Sequence, residues 1–219
     1  MKTTLITLAA ILAAAATAHA QIDVSNIKSI TVNKSASNAA VTGTREIGRS
    51  SLECVYKAVA PERGNEQEPV RMKEDRMILQ TGGAVSKFYS YYNFAKDSLL
   101  KADPNNALKA VEHKNGTAAC LYTGYPEAGR LTLTDAVAST YYTYEDKVPQ
   151  IKWTIGDQTR EILGYKCRRA DCDLYGRHFT AWFTDEIPVA SGPWKLQGLP
   201  GLIMAAADDE GLYSFEIIG

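Results

Sequence analysis

The sequence predicts an α+β fold: a curved antiparallel β-sheet, built mainly by a C-terminal meander, with one or two helices packed on one face. Three observations predict it. From residue 148 onward, short runs alternate between apolar and polar residues, as with Ile151, Trp153 and Ile155 against Gln150, Lys152 and Thr154. A period of two marks a half-buried strand. Residues 91–112 read as helix, with a break at Asp103-Pro104, because proline lacks the backbone donor a helix needs. Finally, the C-terminal runs are joined by short, turn-rich connections, which favour antiparallel neighbours.

The chain opens MKTTLITLAAILAAAATAHA. Lys2 gives a basic end, Leu5 to Ala16 is an apolar run broken only by Thr7, and Ala18-His19-Ala20 has the small-x-small form of a cleavage site. This predicts a signal peptide over 1–20, cleaved after Ala20, and export to the periplasm or cell surface. The run is shorter than the roughly 20 residues of a spanning helix. The remaining 199 residues, with 23 basic and 25 acidic side chains and a charge of −2, suit one domain. A nucleic-acid partner would need a clustered basic excess, and no later run is long and apolar enough to span a membrane as a helix.

Residues 21–50 are rich in Ser, Thr, Asn and Ala and read as a weakly ordered lead-in with a short strand at Ile27–Val32. Residues 51–219 form the β-rich domain. Leu52–Ala60 reads as a strand stopped by Pro61, and 61–75 as a solvated charged loop. Two β-like runs flank Gly82-Gly83, a pair suited to a tight hairpin. Asn105–His113 continues as a second short helix, closed by Asn115-Gly116. Residues 117–147 fit either a strand pair or a short helix followed by a strand. In EILGYKCRR, Leu163, Tyr165 and Cys167 share a face. In HFTAWFT, Phe179, Ala181 and Phe183 share one and Trp182 takes the other. Leu202–Ala207 is an apolar strand, Asp208-Asp209-Glu210-Gly211 a turn, and Tyr213, Phe215 and Ile217 the apolar face of a last strand.

Four cysteines, Cys54, Cys120, Cys167 and Cys172, lie in the exported part. An even number in an oxidising compartment predicts up to two disulfides, and three pairings remain open. A direct Cys167–Cys172 bond requires a turn between them. Five steps along a strand separate Cα atoms by about 16 Å, beyond disulfide reach.

The stretch Gly192 to Ala207, GPWKLQGLPGLIMAAA, has two sharp bends and then an apolar run. Pro200-Gly201 fits the centre of a type II turn, with a preset φ on proline and a positive φ on glycine. The bends launch Leu202 and Ile203 into the sheet, and Gly192-Pro193 delivers Trp194. Only Lys195 and Gln197 within it offer polar side chains.

Gly198-Leu199-Pro200-Gly201-Leu202-Ile203, following GYKCRRA (164–170) and GRHFTAWFTDEIPV (176–189), resembles the GLPGLI family of exported bacterial proteins. The resemblance is strong over about 162–218 and looser before, where SKFYS (86–90) is similar to the family's N-terminal half. It implies an exported, β-rich protein of a bacterium with an outer membrane, and brings no established activity. Members of that family continue past the last strand, so the resemblance implies either a short member or a sequence truncated at Gly219.

Cys167, Cys172 and His178, with Asp171 and Asp173 nearby, offer zinc-type donors, but at no compact zinc spacing. His113 or His178 with Cys167 or Cys172 offers a nucleophile pair, without the helix N-terminus that activates a thiol. Asp208, Asp209 and Glu210 offer carboxylates for calcium, and Asp185-Glu186 reads as a loop. No Ser-His-Asp arrangement, phosphate loop or dinucleotide fingerprint occurs, so no cofactor is expected. Tyr89, Tyr91 and Tyr92, and Tyr141, Tyr142 and Tyr144, form two clumps of a type that serves recognition. Asp97-Ser98-Leu99 resembles an O-glycosylation triplet. The expected function is binding, with Trp153, Tyr165, Phe179 and Tyr213 lining a pocket for an apolar ligand or an envelope protein. A metal-dependent or hydrolytic enzyme using His178 with Cys167 or Asp185, and a structural component of the envelope, are the alternatives.

Overall fold

The computed structural model describes residues 30–34, 46–62, 70–103, 116–137 and 140–219. The predicted signal peptide, most of the lead-in and the predicted helix over 105–113 lie outside the described residues. In chain order the elements are β1 (Ile30–Lys34), β2 (Leu52–Pro61), β3 (Met72–Gly82), β4 (Val85–Ser90), α1 (Tyr91–Ala102), β5 (Cys120–Thr123), β6 (Arg130–Val137), β7 (Thr140–Lys147), β8 (Thr154–Ile162), β9 (Tyr165–Leu174), β10 (Arg177–Thr184), β11 (Leu202–Asp208) and β12 (Ser214–Ile217).

All twelve strands belong to one sheet, ordered β1-β7-β6-β5-β4-β3-β2-β12-β11-β10-β9-β8. Every pairing in it is antiparallel. This corrects the predicted α+β class. The protein is mostly β, and α1 is the one helix among the described residues. The ambiguous stretch 117–147 supplies three strands and no helix. Its runs are short and rich in Thr and Tyr, residues that suit a pleated surface. Helix α1 follows β4 directly. Ser90 caps it by accepting from the Asn93 amide, and Ser90 itself donates to the buried Asp75 carboxylate at 3.0 Å.

Register explains the core. One row crosses the sheet through Cys54, Leu79, Phe88, Leu121, Leu133 and Tyr144, each the partner of the next. A second passes through Ala58, Phe215, Ala206, Ala181 and Ala170. The buried members of both rows belong to one cluster, which also contains Leu196 and Leu199 from the β10–β11 connection. Tyr144 packs on the same cluster from β7, one strand from the β1 edge, while Cys172 joins it from β9, one strand from the β8 edge. The sheet therefore curls over on itself. Each fully buried Phe or Leu contributes about 1.5–3 kcal/mol, so the large side chains alone account for the inward curl.

Among the described residues, three two-residue hairpins set registers. Gly83 at φ 60 leads the β3–β4 turn, Leu163 (φ 51) and Gly164 (φ 82) form the β8–β9 turn, and Tyr175 (φ 52) and Gly176 (φ 76) form the β9–β10 turn. These positive angles twist with the strands. The β8–β9 turn corrects the predicted strand face shared by Leu163, Tyr165 and Cys167, because Leu163 sits in the turn and is exposed. The strand predicted at 151–155 also moves. Val148, Ile151 and Trp153 pack on the core from an irregular connection, and β8 starts at Thr154.

All four cysteines are free thiols, which corrects the disulfide expectation. Cys167 and Cys172 lie five steps apart in the single strand β9, and Cys54 and Cys120 are separated by β3 and β4. Burial pushes the Cys54 thiol up to about 11, helped by Glu53. It pushes Cys172 up to about 12, helped by Asp173 and Asp171.

Candidate functional site

The Gly192–Ile203 stretch is mostly interior. Leu196, Leu199, Leu202 and Ile203 are at most 1% exposed. Leu196 N donates to Pro193 O, Gly198 N to Ala190 O and Ile203 N to Ser191 O, so the connection folds back on the strand it launches. Tyr56 reaches across from β2 and donates its hydroxyl to Ile203 O at 2.8 Å. One detail of the expected turn is different. Gly201 lies outside the left-handed region, whereas Gly198 adopts φ 89. A Cβ on Gly201 would run into the backbone of Thr184 and Asp185. Glycine is required there by close approach of two strands rather than by a type II turn.

Lys195 is the buried cation of this stretch, 8% exposed. Its Nζ donates to Tyr175 Oη at 3.4 Å and sits 4.7, 5.5 and 5.9 Å from the ring centres of Tyr175, Trp194 and Tyr144. Burial pushes its pKa down, and Asp146 partly opposes this. Among the described residues no carboxylate is ion-paired to it. The ring faces supply the compensating attraction. Tyr175 and Trp194 both hold positive φ, at 52° and 54°, a backbone state costing about 1–2 kcal/mol each. The cage thus ties β7 to the opposite end of the sheet.

The four residues expected to line a pocket all lie in or against the one core cluster. Phe179 is in the core at 1% exposure. Trp153 donates its indole N–H to Gln197 O at 2.9 Å. Tyr165 packs on the core from the start of β9. Tyr213 lies under the Arg177 guanidinium, 5.0 Å from its carbon. The candidate metal donors separate by sheet face. Cys167 and Cys172 point into the core, whereas His178 is exposed with Nδ1 2.8 Å from Asp173 Oδ1, a bond that raises its pKa. Asp171 accepts from Arg169 at 2.9 Å and from Thr180 at 2.7 Å. Asp208 and Glu210 both pair with Arg177 at 2.7 Å, so a guanidinium engages two of the turn carboxylates that calcium could have used. Of the tyrosine clumps, Tyr141 is 59% exposed, and Tyr89 is buried beneath Lys87.

The outer face of the sheet holds the depression with the most varied chemistry. It measures about 360 Å³ and spans β2, β12, β11 and β10, with Arg160 reaching over from β8. Its floor is β11 at Ala205 and Ala207, paired in register with Trp182 and Thr180; Ala207 is exposed, whereas Ala205 is 4% exposed and belongs to the core cluster. One row runs Trp182, Ala205, Glu216, Lys57 and the next runs Thr180, Ala207, Ser214, Val59. The depression exists because one strand offers only methyl groups outward between neighbours carrying long side chains. The Arg160 guanidinium lies 4.6 Å from the Trp182 ring centre. Lys57 pairs away from the floor, with Glu74 at 3.1 Å. Sequence reading missed this site, although the signal was legible as two outward alanines in Ala205-Ala206-Ala207. A second hollow, about 430 Å³, lies at one rim. It is lined by backbone and uncharged groups, including Gln150, Gln197 and Gly198.

Residues 175–205 match the model of Porph_ging, a protein family of unknown function. That segment covers the β9–β10 turn, β10, the buried connection and half of β11. In fold, the chain is similar to PNGF-II. The structure of PNGF-II in the P21 space group has 12% identity and a TM-score of 0.50, over 76% of this chain and 27% of that one. In the C2 space group the values are 14%, 0.51, 76% and 26%. The chain spans about a quarter of the length of those structures, and at this identity the likeness is one of fold. No curated protein matches the chain.

Proposed function

We infer that this is an exported GLPGLI-type protein of the cell envelope whose task is binding rather than catalysis, and that it binds on the outer face of the sheet. The supporting observation is the alanine-floored depression between Trp182 and Glu216, whose volume of about 360 Å³ falls in the range of small-ligand sites. The inner face cannot serve, because its rows of side chains are closed by the protein's own connection, with Leu196 and Leu199 at most 1% exposed. The strongly polar groups that the sequence offered for chemistry are engaged with one another. His178 is held by Asp173, Asp171 by Arg169 and Thr180, and Asp208 by Arg177.

Ala207→Trp tests the reading. Ala207 is exposed, so the larger side chain fills the depression without entering the core. Wild type and variant are purified from the envelope of the producing cells, denatured, and the released small molecules identified by mass spectrometry. A compound recovered in stoichiometric amount from wild type and lost from Ala207→Trp supports the site. Identical profiles from the two proteins overturn it.

A further inference from the structure

The charges that line the outer depression narrow what it can hold, an inference that rests on the outer-face reading above. Three charged side chains line it, Lys57, Arg160 and Glu216. Lys57 is engaged by Glu74 at 3.1 Å. Arg160 is exposed, its guanidinium lies 4.6 Å from the Trp182 ring centre, and it has no ion pair among the described residues. The ring attracts this cation without taking its N–H groups. Glu216 is exposed and is the register partner of Lys57. Two cations and one anion leave the lining with a surplus of one positive charge. The uncharged lining includes Val59, Trp182 and the exposed Ala207. Thr180 and Ser214 add hydroxyls, of which that of Thr180 is committed to Asp171 at 2.7 Å.

We propose that this depression binds a small monocarboxylate with an apolar body. The carboxylate lies on the Arg160 guanidinium, whose fork of N–H donors fits both oxygens, and the body lies over Ala207. A single negative charge is the selecting feature. One carboxylate answers the surplus cation. A second anionic group on the ligand finds no free cation, because Lys57 is held by Glu74, and it meets the Glu216 carboxylate instead. A neutral ligand leaves the guanidinium to water. A carboxylate without an apolar body buries no area on the floor, and area is what an exposed ion pair lacks as a source of affinity.

The test is a titration of the full ¹⁵N-labelled protein with hexanoate, followed by amide NMR. Hexanamide, acetate and adipate are run in parallel. The expected result is shifts centred on β10, β11 and β12, with hexanoate the tightest ligand and hexanamide weaker by about fivefold, as the loss of an exposed ion pair dictates. Arg160→Gln should bring hexanoate down to the level of hexanamide and leave hexanamide unchanged. Glu216→Gln should tighten adipate more than hexanoate. Both positions are exposed, so both variants keep the fold. If hexanamide binds as well as hexanoate and Ala207→Trp abolishes both, the depression stands as a binding site and the carboxylate assignment is overturned. An Arg160→Gln protein that still prefers hexanoate to hexanamide overturns it as well. Acetate as tight as hexanoate refutes the apolar body, and adipate as tight as hexanoate refutes selection for one charge. If no probe shifts β10–β12, the carboxylate assignment is overturned, and the site itself is judged by the released-ligand experiment.

Discussion

Gly201→Ala separates two accounts of the Pro-Gly step. On the turn account, Gly201 needs a positive φ, and alanine costs about 1–2 kcal/mol in backbone strain. On the structural account, Gly201 is not left-handed, and the cost is collision. A Cβ there would lie 2.6 Å from the Thr184 carbonyl carbon, 2.9 Å from Asp185 Cα, and closer still to the Thr184 oxygen. Cβ atoms essentially never approach within 3.0 Å, so the strands must part by about 1 Å. All three obstacles are main-chain atoms, and no side-chain rotation relieves them. Thr184 is fully buried and pairs with Leu202 at the first rung between β10 and β11. Overpacking of this kind costs about 1–3 kcal/mol, and a lost rung adds about 1 kcal/mol, giving roughly 3 kcal/mol. The control is Gly83→Ala, where φ is 60 and nothing lies within 4 Å, with an expected loss of about 1 kcal/mol. Urea unfolding at constant m-value reads both. The close-approach account fails if Gly201→Ala loses no more stability than Gly83→Ala.

Two further outcomes follow. The buried thiols make the fold sensitive to alkali. The folded pKa of Cys54 is about 11 and of Cys172 about 12, against an ordinary 9.0. Their contribution is therefore complete below pH 9 and declines as pH rises toward the folded values, by about 2 kcal/mol each at pH 10.5. Cys172→Ala should lose correspondingly less between pH 8 and 10.5, and an unchanged slope would refute this. The same samples should titrate four thiols in urea and react far more slowly when native. Finally, Asp208→Ala removes the buried partner of Arg177, whose side chain is 11% exposed, leaves it only the exposed Glu210, takes the acceptor from the Tyr213 amide, and should cost about 2 kcal/mol, whereas Glu210→Ala, at an exposed partner, should cost under about 1 kcal/mol. Equal losses in thermal unfolding would show that burial does not govern this cluster.

The strands with strict alternation were legible in the sequence. Phe179, Ala181 and Phe183 on one face with Trp182 on the other matches β10, and the apolar run from Leu202 matches β11. What failed had a physical cause in each case. Ile151, Trp153 and Ile155 alternate like a strand, but Trp153 is held by the Gln197 carbonyl, a tertiary bond that periodicity does not report. Leu163-Gly164 is a hairpin, and a leucine at φ 51 is not a residue that announces a turn. The α+β class failed because the sheet runs far beyond the C-terminal meander, through twelve strands, three of them from the stretch 117–147 that fitted either helix or strand. The outer depression escaped because it is made by what is absent from β11, namely side chains beyond Cβ, while sequence reading had searched for the large aromatic groups that build the core.

The buried connection and the outer depression are two consequences of the same strand. Looking inward, β11 offers Ala206, with Ala181 and Ala170 beside it in the row. Looking outward it offers Ala205 and Ala207. Small residues on the inner side leave room for the large groups, Leu196, Leu199 and Tyr56, that share the core with them. Of the outer pair, Ala207 stays exposed, while Ala205 is buried and belongs to the same cluster. Packing therefore accounts for the inner alanines and for Ala205 but not for Ala207. A threonine or valine at 207 would suit a strand better by intrinsic preference. Outward methyl groups between Trp182 and Glu216 are what a surface needs if something must lie close to the backbone there. This is the reason to place recognition on the outer face, and to regard the Pro-Gly step as the device that holds its floor in register.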